Sequence, residues 1–292
     1  MDPVALAFIA VAAVMHATWS ILLKTAGDAL RTATLGMVAA SAIFLPFVIA
    51  GWLVAGQPAV PAGAWVIGAI SGLVEVAYFV FLAAAYRRGD LSLVYPLARG
   101  SAPVLAVIVG VVILGERLTP VAWSGVGLLL GGLVVVQRPW RLLRAAAADR
   151  SAAGFALLTG LTIATYSSLD RVGVGMTPAL VYAGILWPVC AAGLVVVAWL
   201  RPRIRGGRYA LPPEPLNVPR AVVGGVLTFT AYVLVLAALA RTPLAIIAPL
   251  RESAVVLASA WGVVRLREAV GRRDIGMRIG GSLLVRQVLE RA

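Results

Sequence analysis

Of the 292 residues, 61% are hydrophobic and only 13% are charged, about half the charged share of an ordinary water-soluble domain, so a water-soluble fold is excluded. The formal charge of +13 does not indicate nucleic acid, because the basic residues sit in short loops beside apolar stretches, the pattern of cytoplasmic loops and anionic lipid headgroups. One cysteine and one histidine supply neither an internal disulfide nor a metal cluster, and no metal or other cofactor is expected.

Ten apolar segments are long enough to cross ~30 Å of hydrocarbon as helices: residues 4–23, 33–54, 64–86, 91–113, 120–137, 152–169, 177–200, 219–240, 243–264 and 271–289. The first contains His16 and Trp19 and has no basic leader or clear cleavage site, so it is expected to stay in the mature protein. The third carries Glu75 in mid-span, with Tyr78, Phe79 and Leu82 on the same helical face. Pro96 and Pro249 interrupt the fourth and ninth, each two or three residues before an arginine, Arg99 and Arg251. Residues 138–151 and 201–219 are the longest polar connections, and neither is long enough for a separate domain. Arg278 and Arg286 interrupt the tenth segment, where a central arginine costs ~2.5–3.5 kcal/mol, so that helix is expected to be tilted or to pair its charge. Seventeen basic residues follow odd-numbered spans, against five in the even loops and at the ends. That bias puts the odd loops in the cytoplasm and both termini outside.

The chain matches itself. Arg99-Gly-Ser-Ala-Pro-Val-Leu-Ala through Glu116 aligns with Arg251-Glu-Ser-Ala-Val-Val-Leu-Ala through Glu268, with 11 of 18 positions identical at an offset of 152. At nearby offsets Trp19 and Lys24 align with Tyr166 and Arg171, and Tyr78 and Arg87 with Tyr232 and Arg241. Polar residues aligning in order indicate duplication. Five spans is an odd number, so the second unit lies inverted relative to the first. The expectation is an all-α integral membrane protein of ten transmembrane helices in two five-helix inverted repeats, residues 1–137 and 152–292, joined by a basic loop, 138–151.

The stretches His16-Ala-Thr-Trp-Ser-Ile-Leu-Leu-Lys, Tyr86-Arg-Arg-Gly-Asp-Leu-Ser-Leu-Val-Tyr-Pro-Leu-Ala-Arg-Gly-Ser-Ala-Pro and Leu114-Gly-Glu-Arg-Leu resemble the EamA domains of the drug/metabolite transporter superfamily. The resemblance covers nearly the whole chain, one domain per half. It implies a ten-helix carrier of the bacterial inner membrane, often an exporter of amino acids or other small metabolites. It also implies cytoplasmic termini, against the charge count. Arg265, Arg278 and Arg286 stand where such domains are usually apolar.

Ionisable groups inside spans are expensive and therefore candidates for function. Glu75 can bind an amine or carry a coupling proton, or it can neutralise Arg99 or Arg251. Arg99 or Arg251 can hold a substrate carboxylate in bidentate fashion, or snorkel to headgroups, or close a salt bridge with an acid such as Glu252. Trp19, Tyr78, Tyr95, Tyr166 and Tyr232 offer ring faces and hydroxyls to an amphipathic ligand, against packing or interface anchoring for any one of them. His16 is a second candidate for proton coupling, weighed against a role in helix packing, and Asp170, expected near a membrane interface, is held in reserve. Glu116 and Glu268 read as paired loop or gate residues. Gly125, Gly127, Gly131 and Gly132 suit close helix packing and form no nucleotide loop. The expected function is secondary transport, in the export direction, of a small amino acid, amine or similar metabolite by alternating access at a midplane site. Self-association as a homodimer is compatible with this. An integral-membrane enzyme lacks a catalytic constellation, and a receptor or scaffold lacks a sensing domain.

Overall fold

The computed structural model describes residues 2–24, 26, 28–88, 91–137, 150–204 and 216–252. Every regular element among them is helical: α1 (Pro3–Lys24), α2 (Ala29–Val54), α3 (Ala62–Arg88), α4 (Leu91–Ile108) with a π-helical turn (Val109–Ile113), α5 (Pro120–Gln137), α6 (Arg150–Gly173), α7 (Ala179–Ile204) and α8 (Val218–Leu239). A further helix, α9, begins at residue 244 and is described to residue 252. The expected span 271–289, the loop 138–149 and the candidates Arg265, Glu268, Arg278 and Arg286 lie outside the described residues.

Five described helices are long and apolar enough to cross a membrane, Ala29–Val54, Ala62–Ala85, Arg150–Gly173, Ala179–Leu200 and Val218–Leu239, and Pro3–His16, Leu97–Ile113 and Pro120–Val134 are shorter apolar helices. At 22 to 26 residues the long ones reach ~33–39 Å, enough for the hydrocarbon with some tilt. Their starts follow local chemistry. The Asp28 carboxylate accepts from the N–H groups of Leu30 and Arg31, both at 3.1 Å, to cap α2. The Asn217 side chain accepts from Arg220 N–H at 3.0 Å to cap α8, which has a proline in its first turn.

The described chain divides into two compact units, one of Met1–Val80 with Thr165–Pro243, the other of Phe81–Ala164 with Leu244–Ala292. In the first, α8 packs on α1 and α2, and α2 packs on α7. Lipid tails are as apolar as leucine, so helices in a membrane associate through close van der Waals contact between small residues rather than by expelling water. A Cβ on Gly36 would stand 2.8 Å from the Ala221 carbonyl oxygen, and one on Gly225 would run into the Gly36 backbone. At Gly72 of α3 a Cβ would lie 2.5 Å from the Leu186 carbonyl oxygen of α7. These glycines let backbones touch.

In the second unit, Ala85, Val94, Ala98, Ala152 and Ala156 form one buried cluster, with Leu97 and Phe155 against it. Val107, Val126 and Ala245 form another. The π-helical turn ends α4, and Gly115 follows at φ +66°, a left-handed backbone that favours glycine. That turn delivers the Glu116 carboxylate to the start of α9, where it accepts from Leu244 N–H at 2.7 Å and Ala245 N–H at 2.9 Å. The first turn of α9 is thus capped by a side chain 128 residues earlier in the chain.

Candidate functional site

The first unit holds a buried polar cluster assembled from four helices. On α3, Ser71 and Glu75 are four residues apart and therefore share a face; both are buried, at 0% and 5% exposure. Asp170 on α6 is 1% exposed. Its Oδ1 accepts from the Ser71 hydroxyl at 2.6 Å and from the Tyr182 hydroxyl of α7 at 3.1 Å, and its Oδ2 accepts from the Tyr232 hydroxyl of α8. Asp170 lies three residues before the end of α6 and is buried within the protein. Three hydroxyls from three neighbouring helices draw the carboxylate inward and compensate part of the cost of burying a charge.

Glu75 stands in the same neighbourhood. Cys190 and Tyr182 of α7 and Tyr232 of α8 are its neighbours. Aromatic rings wall the cluster: Tyr78 meets Tyr166 edge-on at 6.0 Å, Tyr166 lies 6.2 Å from Tyr232, and Trp187 meets Tyr232 edge-on at 5.8 Å. Two further buried polar atoms on the same helices, Ser167 Oγ and Trp187 Nε1, have no hydrogen-bond partner. Buried polar groups are rarely left unmet unless a bound species or a functional role answers for them.

The structure thus gathers Glu75, Tyr78, Tyr166, Asp170 and Tyr232 of the sequence-derived candidates. Trp19 does not join them; its ring packs against Gly224 of α8, where a Cβ would meet it at 2.5 Å, so it serves the α1–α8 contact. His16 is half-buried in α1, and the Tyr95 side chain lies outside the described residues. Ser71, Tyr182, Trp187 and Cys190 are additions. The spacing of Ser71 from Glu75 signals it in the sequence, whereas the other three lie on one helix among apolar neighbours.

In the second unit, Arg99 Nη1 lies 3.0 Å from Glu252 Oε1, and Arg251 Nε lies 3.5 Å from the same oxygen. Arg99 and Arg251 therefore share one buried acid, and of the roles open to Arg99 the salt bridge is the one seen. The carboxylate of Glu252 is 3% exposed and each guanidinium side chain 12%, so the triad is secluded from water and holds α4 to α9. Among the described residues no group of His, Cys, Asp and Glu is arranged to hold a metal.

The family model of the EamA-like transporter family matches residues 3–138. Spermidine export protein MdtI from Salmonella paratyphi B is 37% identical to this chain over 70 residues, 24% of this chain, and the chain spans 64% of that relative's length. The MdtI proteins of Salmonella newport and Salmonella heidelberg match to the same extent. A solved crystal structure shares the fold at a TM-score of 0.62 with 20% sequence identity, covering 96% of this chain and 95% of its own. Residues 3–138 thus match a transporter family model, and five of the described helices are long and apolar enough to cross a membrane.

Proposed function

Taking residues 3–138 as an EamA-like transporter domain, we propose that the chain is a secondary exporter of small organic cations, and that the cluster around Glu75 and Asp170 is its binding and coupling site. The observation that carries this reading is the burial of two acids, Glu75 at 5% and Asp170 at 1%, in one aromatic-walled cluster in a membrane protein. Buried carboxylates in a membrane are costly and are retained where a cation or a proton is handled. The relatives that share 37% identity over 70 residues are named as exporters of spermidine, a polyamine cation, which supports the same class of cargo.

The mechanism proposed is alternating access by two inverted five-helix repeats, residues 1–137 and 152–292. Two observations support it. The family match ends at residue 138, where the first repeat is expected to end. Each compact unit also draws pieces from both halves: α1, α2 and most of α3 with the end of α6, α7 and α8 in one, the end of α3, α4 and α5 with the larger part of α6 and α9 in the other. The cluster itself takes α3 from the first half and α6, α7 and α8 from the second. In this mechanism Glu75 exchanges a proton for the cation, so that the proton gradient drives export.

The test is flux of spermidine and of simple alkylamines in vesicles containing the purified protein under an imposed pH gradient. Saturable, gradient-driven movement that loses its pH dependence in Glu75→Gln is the expected result. Unchanged pH dependence in the folded variant removes Glu75 from the coupling role, and absence of any cation flux or binding removes the cation reading.

A further inference from the structure

Which cations the cluster accepts follows from how Asp170 is satisfied. Ser71 and Tyr182 donate to Oδ1, Tyr232 donates to Oδ2, and these donors come from α3, α7 and α8. Three O–H donors on one carboxylate reproduce what a single –NH3+ group offers, which is three N–H donors on one positive charge. An arriving ammonium can therefore replace hydroxyl donors one for one. The displaced hydroxyls keep their lone pairs, and any N–H of the ammonium that does not go to the carboxylate can donate to one of them.

A quaternary ammonium has no N–H. To reach the carboxylate it must push O–H donors away and offers only C–H in return, leaving buried hydroxyls and carboxylate oxygens without hydrogen bonds. Aromatic walls can compensate by cation–π attraction when ring faces are open to the ligand. Here Tyr78 meets Tyr166 at an interplanar angle of 81° and Trp187 meets Tyr232 at 61°, so ring edges press on neighbouring faces and the rings pack among themselves rather than forming an open box.

We propose that Asp170 with its three hydroxyl donors makes the site selective for cations that carry N–H groups, primary to tertiary ammonium, over quaternary ammonium. This rests on the reading of the cluster as a cation site. Leaving one hydrogen bond to a charged group unmade corresponds to on the order of 10- to 100-fold in affinity.

The experiment uses the full-length protein in detergent and four ligands of one skeleton: butylammonium and its N-methyl, N,N-dimethyl and N,N,N-trimethyl derivatives, all cations at pH 7. Binding is read by calorimetry and by ligand-induced thermal shift. The expected result is a modest change across the first three and a drop of at least tenfold at the fourth, where the last N–H is lost although the size hardly changes. A smooth decline across the series, or tighter binding of the quaternary ligand, overturns the proposal. Ser71→Ala attributes the effect: removing one small donor leaves acceptor capacity on Oδ1 for the ligand, so butylammonium gains several-fold while the trimethyl derivative does not. Equal shifts for both ligands count against Asp170 as the selecting group. If none of the four binds the wild-type protein, the cation reading itself fails and this inference with it. Binding that depends on Glu75 but shows no step at the fourth ligand overturns the selectivity alone.

Discussion

Replacing Gly225 by alanine tests whether backbone contact between α2 and α8 holds the first unit together. A Cβ on Gly225 would stand 2.8 Å from Gly36 Cα and 2.6 Å from its carbonyl carbon, about 0.7–0.9 Å inside an ordinary carbon contact of ~3.5 Å. Both atoms are backbone, so no side chain can turn away and the two helices must part. Overpacking of this kind costs about 1–3 kcal/mol, roughly 2–12 °C in Tm on the scale of a chain this size. The control is Gly154→Ala in α6, where a Cβ would meet nothing within 4 Å and alanine's lower backbone entropy should leave stability unchanged or raise it by about 0.5–1 kcal/mol. Thermal unfolding of both variants in the same detergent gives the comparison. A Gly225→Ala protein as stable as the Gly154→Ala protein refutes the close-approach argument.

Tyr232→Phe removes one donor from Asp170 and should lower stability by about 1.5–3 kcal/mol, measured by denaturant unfolding in mixed micelles; no loss would mean that the hydroxyl contributes nothing net. Glu116→Ala strips the cap from α9. At about 0.5–2 kcal/mol for a lost cap, the Leu244 and Ala245 amides should exchange with deuterium roughly 2- to 30-fold faster, and unchanged exchange would show that the cap is idle. Arg99→Leu leaves the secluded Glu252 facing Arg251 at 3.5 Å and should cost about 3 kcal/mol. Arg99→Leu with Glu252→Leu should recover a good part of that, and strictly additive losses would mean that the pair is uncoupled.

Five of the expected spans, 33–54, 64–86, 152–169, 177–200 and 219–240, coincide with membrane-length helices, because apolar run length is set by the bilayer, and α5 begins and ends where composition puts it, at residues 120 and 137. α7 was harder to bound. Its apolar run stops near Leu200, but the helix continues to Ile204. Glu75 announced itself as a carboxylate amid apolar neighbours. Asp170 did not, because it stands next to Arg171 near a span end, and only the convergence of Ser71, Tyr182 and Tyr232 shows that it is buried. Tyr182 sits in the first turn of α7 and reads in sequence like an interface aromatic. The internal repeat pairs Trp19 with Tyr166, but it cannot say which residues meet. Tyr166 reaches the carboxylate cluster while Trp19 packs against Gly224.

The single thiol of the chain has a practical consequence. Cys190 is the only cysteine among 292 residues, is 0% exposed and lies beside Glu75. Nature has therefore placed one chemical label inside the cluster with no background to subtract. A maleimide can reach it only when the surrounding helices separate, so its alkylation rate in the unmodified protein is a clock for opening. A reagent supplied from one side of a sealed vesicle reports which side the cluster opens to.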